Sequence, residues 1–337
     1  MLASSPFGSF GPGPGWDEIA GSRLSCTRRP LGQRAELLSL TGDMARENIL
    51  IVPPVSGHSA MLLADLALGL SRHLHVHLID QREPCELPSG LGSGCFQDHV
   101  GQIELAARSI GPLHLIGACQ STAATAEAAG RICGADREML RSLSLLASPL
   151  SAQPGSGGVA DQIPSEEPQS TEFLAQVAAL THSCRNGQFV LPGDNQLAAI
   201  LQGSGGAARL LLGEHFASWD FTASSARRER ARRRVRTLMS TRGLERGLLL
   251  ESLLRNFISR PHARSRNPLR VDGPVLLVAG EDDRVIPPIQ CHAGADYFSD
   301  RAVEVHTVPG ADHFDLFCGE GAFHLGERLA SRLKEGT

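Results

Sequence analysis

The sequence predicts an α/β fold, with an open, mostly parallel central sheet, helices on both faces and an inserted helical cap. Three observations predict it. Short apolar runs alternate with helix-like stretches through the first part of the chain. One run, Leu113-His114-Leu115-Ile116, passes straight into Gly117-Ala118-Cys119-Gln120-Ser121 and an alanine-rich stretch at 122–129, in the order strand, tight turn, helix. The strand pattern stops at Ser148-Pro149 and returns at Pro274, so two parts of one sheet are separated by a long insertion.

The elements follow in order. Residues 22–28 and 35–41 read as two short strands of an edge hairpin, separated by Arg28-Arg29-Pro30-Leu31-Gly32. Asn48-Ile49-Leu50-Ile51-Val52, halted by Pro53-Pro54, is a continuous apolar run and reads as a buried parallel strand. Leucines and alanines over 60–72 suit a helix, and the next strand runs from His73 to Asp80. A helix over 97–109, the strand 112–118 and a strand near 142–147 complete the first part. Residues 171–181, 195–212, 224–239 and 243–259 read as helices, 274–280 and 302–308 as strands, and 321–334 as a terminal helix. The expected organisation is a flexible leader at 1–20 (Gly-Pro-Gly-Pro-Gly at 11–15), a core of 21–150 and 271–337, and a helical cap or lid at 151–270.

Composition narrows the function. A net charge of -4 gives no global basic field, and 4% aromatic residues argue against a carbohydrate cleft or a stacking platform for single-stranded nucleic acid. The insertion is locally basic: between Arg227 and Arg270 lie fourteen arginines against three glutamates. This reads first as a solvated helix face, otherwise as a surface for an anionic partner or granule; no nucleic-acid motif accompanies it. The eight cysteines show no CxxC spacing of a structural zinc site, and a chain this long does not need disulfides, so a reducing compartment is expected. The first residues carry no signal-peptide pattern, and no apolar run reaches the roughly 18 to 20 residues of a membrane span. The expected location is cytoplasmic.

A cysteine at a strand–turn–helix junction is a candidate nucleophile, and it needs a base and a residue to orient the base. Hydrolases with such an elbow carry nucleophile, acid and histidine in that chain order. Here Cys119 is followed by Glu281-Asp282-Asp283 after one late strand and by His313 after the last. The spacing Gly280-x-x-Asp283-x-Val285-x-Pro287 favours Asp283 as the acid, with Asp282 the alternative. His306 falls inside a strand and His324 inside a helix, so both suit the role less well. The Cys119 sulfur would sit at the positive end of the next helix, which favours negative charge. The Gln120 N–H is the expected first oxyanion donor, and a second N–H is expected from Pro54-Val55-Ser56-Gly57-His58, with Val55 or Ser56 the candidates. His58 reads as a donor to an intermediate or as a residue that holds its loop. His73, His75 and His77 alternate along one strand, but no acid completes a metal site there.

The chain as a whole resembles the intracellular polyhydroxybutyrate (polyhydroxyalkanoate) depolymerase family, a cysteine branch of the α/β-hydrolases. The resemblance rests on Ile51-Val52-Pro53-Pro54-Val55-Ser56-Gly57-His58-Ser59-Ala60, Phe96-Gln97-Asp98-His99-Val100, Ala118-Cys119-Gln120-Ser121, Val278-Ala279-Gly280-Glu281-Asp282-Asp283 and Pro309-Gly310-Ala311-Asp312-His313-Phe314. It covers about 50–150 and 270–325, while the insertion has diverged. Ser121 stands where that family has proline, and Ser59 where it has an aromatic residue. The resemblance implies Cys119 as nucleophile, His313 as base, an acid within 281–283, and an acyl-thioester route needing no metal or organic cofactor. It implies a polyester of short 3-hydroxy acids as substrate and a granule surface as partner. Alternatives that share the elbow are a small-molecule esterase or thioesterase, and a polyester synthase-like acyltransferase; synthases usually keep glycines after the nucleophile and are much longer. A homo-oligomer is left open.

Overall fold

The computed structural model describes residues 15–16, 24–42, 46–56, 60–150, 155–164, 166–196, 198, 213, 215–239, 241–258, 269–298 and 303–335. The chain opens with an antiparallel hairpin of β1 (Ser25–Leu31) and β2 (Ala35–Thr41). β1 lies three residues further along the chain than the expected 22–28 and includes Pro30 opposite Glu36. An edge strand tolerates proline because its outer N–H side has no partner to lose. Next come β3 (Asn48–Val52), α1 (Ala64–Leu70), β4 (His75–Gln81), α2 (Phe96–Ile110), β5 (Leu113–Ala118), α3 (Thr122–Ala135) and β6 (Leu140–Leu146). The start of α2 is fixed by a capping box: Cys95 Sγ accepts the Asp98 N–H and the Asp98 carboxylate accepts the Cys95 N–H.

Between β6 and the strand that re-enters the sheet lie α4 (Gln169–Ala179), β7 (His182–Ser183), β8 (Phe189–Leu191), α5 (Ser225–Met239), β9 (Leu244–Glu245) and α6 (Arg246–Leu253), the last continued by a π turn at Leu254–Ile258. The core resumes with β10 (Val275–Gly280), α7 (Pro288–Ala293), β11 (Val303–Val308) and α8 (Glu320–Glu335). The eight-stranded sheet has the order β1-β2-β4-β3-β5-β6-β10-β11. Pairing is antiparallel only where β2 meets β1 and β4; the remaining pairs are parallel.

The apolar runs are buried on both faces, and the two-residue period of a strand divides them. Ile49 and Ile51 of β3 join a core with Leu66, Leu70, Leu325 and Leu329, on the side of α1 and α8. Leu50 and Val52 join a second core with Val100, Ile103, Ala124 and Ala128, on the side of α2 and α3. Both layers are full, so the rims of the parallel strands are free to carry the site loops.

Three sequence expectations change. The segment between β6 and β10 is not purely helical: β7, β8 and β9 form a small antiparallel sheet. Cys85 and Cys184, 99 residues apart, form a disulfide where none was expected. The turn between β7 and β8 brings them together, since the Asn186 amide donates to the carbonyls of Pro84 and Leu87, both at 2.8 Å. Within the expected leader, Gly15 and Trp16 are described, and Trp16 is buried in the core. Most of the helix expected over 195–212, and His58 with Gly57 and Ser59, lie outside the described residues.

Candidate active site

β5 delivers Cys119 to the rim of the sheet through a short 3₁₀ turn that leads into α3. The turn has two local requirements. A Cβ at Gly117 would lie 2.6 Å from Thr125 Oγ1, so only glycine lets α3 pack this closely on β5. Cys119 itself has φ +50°, a conformation that costs a non-glycine residue on the order of 1–3 kcal/mol and must be held by its surroundings. Ser121 does much of the holding. Its fully buried hydroxyl accepts the Ala118 N–H at 3.1 Å and shares its proton between the carbonyls of Ala118 (2.8 Å) and Val52 (3.0 Å). Thr122 Oγ1 adds a bond to the Cys119 carbonyl at 2.7 Å. The elbow is thereby tied to the end of β3.

His313 and Asp283 reach the elbow from the loops after β11 and β10. Those loops are themselves bonded: the Asp282 N–H donates to Ala311 O at 2.9 Å and the Gly310 N–H to Glu281 Oε2 at 2.8 Å. The approach is close enough that a Cβ at Gly280 would meet Ala311 O at 2.6 Å. Asp283 is buried, takes the Val285 and Ile286 N–H groups on Oδ1 at 2.8 Å each, and turns Oδ2 to His313 Nδ1 at 2.7 Å. Asp282 is exposed. On its other side the His313 ring lies close enough to Cys119 for the sulfur to act on it electrostatically, and both residues line the same cavity. Phe317 packs edge-on to the ring at 5.2 Å between centroids.

Burial alone would disfavour a charged imidazole at this position. The carboxylate of Asp283 and then the sulfur of Cys119 outweigh it and raise the His313 pKa well above its ordinary 6.5. The arrangement therefore favours an imidazolium beside the Asp283 carboxylate. Other buried histidines behave oppositely: burial pushes His77 and His99 down to about 4. His77 bonds Ser39 Oγ at 2.8 Å and is a neutral structural residue of β4.

Cys119 and His313 open onto a cavity of about 390 Å³, which Gln120 and Ser56 also line. Val55 is instead packed into the core. The outer wall comes from the segment between β6 and β10: Phe173, Val177 and Leu180 of α4 and its end, Leu191 of β8, and Leu249 and Leu253 of α6. The wall is mostly apolar, with Gln162, Asn195 and Gln196 as its polar members, so an occupant would be held chiefly by shape and desolvation. The i,i+4 pairs Phe173/Val177 and Leu249/Leu253 each present one helix face.

Two contributors carry no motif that sequence reading could use. Asn256, in the π turn after α6, donates to the Gln120 carbonyl at 3.1 Å and to Ser252 O at 2.9 Å, linking the wall to the elbow. Ser121 reads in the sequence only as a small residue in place of glycine or proline. Its hydrogen-bonding role needs the Val52 carbonyl, which is 69 positions away.

No family model matches the chain, and no curated protein matches it in sequence. Solved structures match along nearly the full length. A hypothetical protein from Pseudomonas aeruginosa superposes with a TM-score of 0.59 at 16% identity, covering 98% of this chain and 99% of that one. A putative lipase from Acinetobacter baumannii AYE gives 0.55 at 14%, covering 95% of each. A thermophilic esterase from Thermogutta terrifontis gives 0.51 at 15%, covering 93% and 97%. Together with the strand order, these likenesses show the α/β-hydrolase fold.

Proposed function

We propose that this chain is a carboxylic ester hydrolase working through a Cys119–His313–Asp283 triad and an acyl-thioester, with a polyester of short 3-hydroxy acids as its substrate. The observation that carries the reading is the meeting of the strained Cys119 with His313 on one cavity, the His313 ring being hydrogen-bonded in turn to buried Asp283. The esterase and the putative lipase among the structural neighbours agree with this reaction class.

The Cys119 thiolate attacks the ester carbonyl carbon, and the carbonyl electrons move onto oxygen. The Gln120 N–H and a second N–H at Ser56 receive that oxyanion. Collapse breaks the C–O bond, and the leaving alkoxide takes its proton from the His313 imidazolium. A water then gives a proton to His313 as it attacks the thioester, which releases the acid and restores the thiolate. Asp283 keeps the His313 Nδ1 proton directed at itself, so Nε2 faces the thiol. The segment 151–270 serves as the cap, whose apolar wall takes the acyl chain and keeps bulk water from the thioester. No step calls for a metal or an organic cofactor.

The test uses purified protein with amorphous poly(3-hydroxybutyrate) granules and with short soluble hydroxyacid esters. Acid release from granules, abolished in Cys119→Ala, is the expected result. Turnover of small soluble esters alone would replace the polymer with the small-ester reading, which the modest cavity accommodates equally well. Failure to trap any acyl mass on Cys119 with either substrate would overturn both.

A further inference from the structure

We propose that Cys85, His182 and Cys184 form a redox-gated binding site for a soft divalent cation of the Zn²⁺ class, separate from the candidate active site. The Cys85 sulfur, the Cys184 sulfur and a His182 ring nitrogen all lie within 4.8 Å of one another. Two thiolates and an imidazole are the donor set that selects Zn²⁺ and similar soft cations over Mg²⁺ or Ca²⁺. Three protein ligands leave a fourth tetrahedral position for water. Cys85 and His182 are exposed, so a cation can reach the cluster from solvent.

The cluster is preorganised by bonds that do not pass through sulfur. Cys85 sits in the turn Pro84–Glu86 after β4, while His182 and Cys184 belong to the β7–β8 hairpin. Asn186 clamps the hairpin to the Cys85 turn through Pro84 O and Leu87 O. The Cys184 N–H donates to Gln188 O at 2.8 Å, the Gly187 N–H to Cys184 O at 3.0 Å, and His182 pairs with Val190. The Cα atoms of the two cysteines are 5.3 Å apart. With the sulfur–sulfur bond opened, these contacts keep both thiols facing His182. Tetrahedral coordination at the usual Zn–S length asks for sulfurs only about 3.8 Å apart.

The disulfide seen here is the closed state. A dithiol reductant opens it by exchange: two electrons and two protons pass to Cys85 and Cys184, and the reductant leaves as its own disulfide. Cation binding then displaces the two thiol protons, and the neutral His182 nitrogen completes the set. Exchange with a small-molecule disulfide reverses this: the Cys85 and Cys184 thiolates re-form their bond, the oxidant takes the two electrons and, with two protons from water, leaves as its thiols, and the ion, having lost both sulfur ligands, is released.

The test titrates Cd²⁺, read by thiolate-to-metal charge-transfer absorption, and Zn²⁺, read by competition with a chromophoric chelator, into the full chain. The disulfide form is compared with protein reduced by a dithiol and desalted without oxygen. Wild type, Cys85→Ser, Cys184→Ser and His182→Gln are used, and Cys119 is present throughout, so any uptake by it is common to the series. The expected result is one equivalent bound by the reduced wild type, at least 100-fold weaker binding by the disulfide form and by each serine variant, and at least about 10-fold weaker binding by His182→Gln. His182→Gln retains both sulfurs at an exposed position, so its result stands even where a serine variant folds poorly. Equal uptake by oxidised and reduced wild type, or wild-type affinity in His182→Gln, would overturn the proposal.

Discussion

The elbow with its two partner loops and the segment between β6 and β10 meet at one cavity, yet they are built by different rules. At the elbow nearly every position has one solution: glycine at 117 against Thr125, a strained cysteine at 119, and a buried carboxylate at 283 already committed to two backbone N–H groups. Across the cavity, Phe173, Val177, Leu249 and Leu253 need only be apolar and of suitable volume. The proposed function puts reaction chemistry on the first region and substrate choice on the second. Substitutions at the elbow should therefore depress all substrates alike, and substitutions in the wall should reorder them.

The largest effect is expected from Cys119→Ala, with kcat falling by about 10⁴-fold or more on every ester turned over by the wild type. A loss confined to one ester would break the division between the regions. Asp283→Asn follows, with a loss of about 10²- to 10⁴-fold and a change in pH profile. Asp283 is the leading group that raises the His313 pKa, and burial opposes it. Removing the carboxylate charge lets burial win, so the imidazolium is lost at lower pH and the alkaline limb of kcat/KM moves down. An unchanged or upward-moving limb would sink the ion-pair account. The same shift has a consequence for folding. The stability contributed by the pair is fully present below pH 6.5 and is lost as pH rises through the higher folded-state value, so the wild type should lose stability on the alkaline side more steeply than Asp283→Asn.

Phe173→Ala and Leu249→Ala should act on selectivity. Each removes apolar wall, and the expected outcome is a KM rise of about 10-fold for longer acyl chains, with short esters affected only a few-fold. Steady-state kinetics over a chain-length series reads this directly. A uniform drop in kcat for all lengths would mean that the wall positions the thiol as well as the substrate, for which Asn256 at the Gln120 carbonyl is the available connection.

The same contrast explains what the sequence reveals. Buried parallel strands announce themselves as unbroken apolar runs, so the stretches at 48–52 and 274–280 are readable, and their order leads to Cys119, Asp283 and His313. The small sheet of β7, β8 and β9 is not readable, because strands of two or three residues carry no period and their pairing is non-local. The Cys85–Cys184 pairing is hidden for the same reason, since the clamp that creates it is one amide, on Asn186. The arginine-rich stretch is also less uniform than its composition: Arg234 of α5 pairs with Asp65 at 2.9 Å, and Arg242 with buried Asp80 at 2.9 Å, so some of these charges fasten the segment to the core.

The smallest expected effect sharpens the comparison most. Ser121 lies at the elbow but touches no reacting atom, and its hydroxyl only satisfies Ala118 and Val52. Ser121→Ala leaves the volume nearly unchanged and strips a buried N–H of its acceptor, which costs about 1–3 kcal/mol of stability. If the elbow geometry is over-determined by Gly117, Thr122 and the packing of α3, that loss should show in the melting temperature while kcat stays within a few-fold. If kcat instead falls by about 10²-fold at full occupancy of the folded state, the strained Cys119 depends on this one hydroxyl. The residue after Cys119-Gln120 would then be a positioning residue of the reaction, and its identity would matter as much as that of the cysteine it holds.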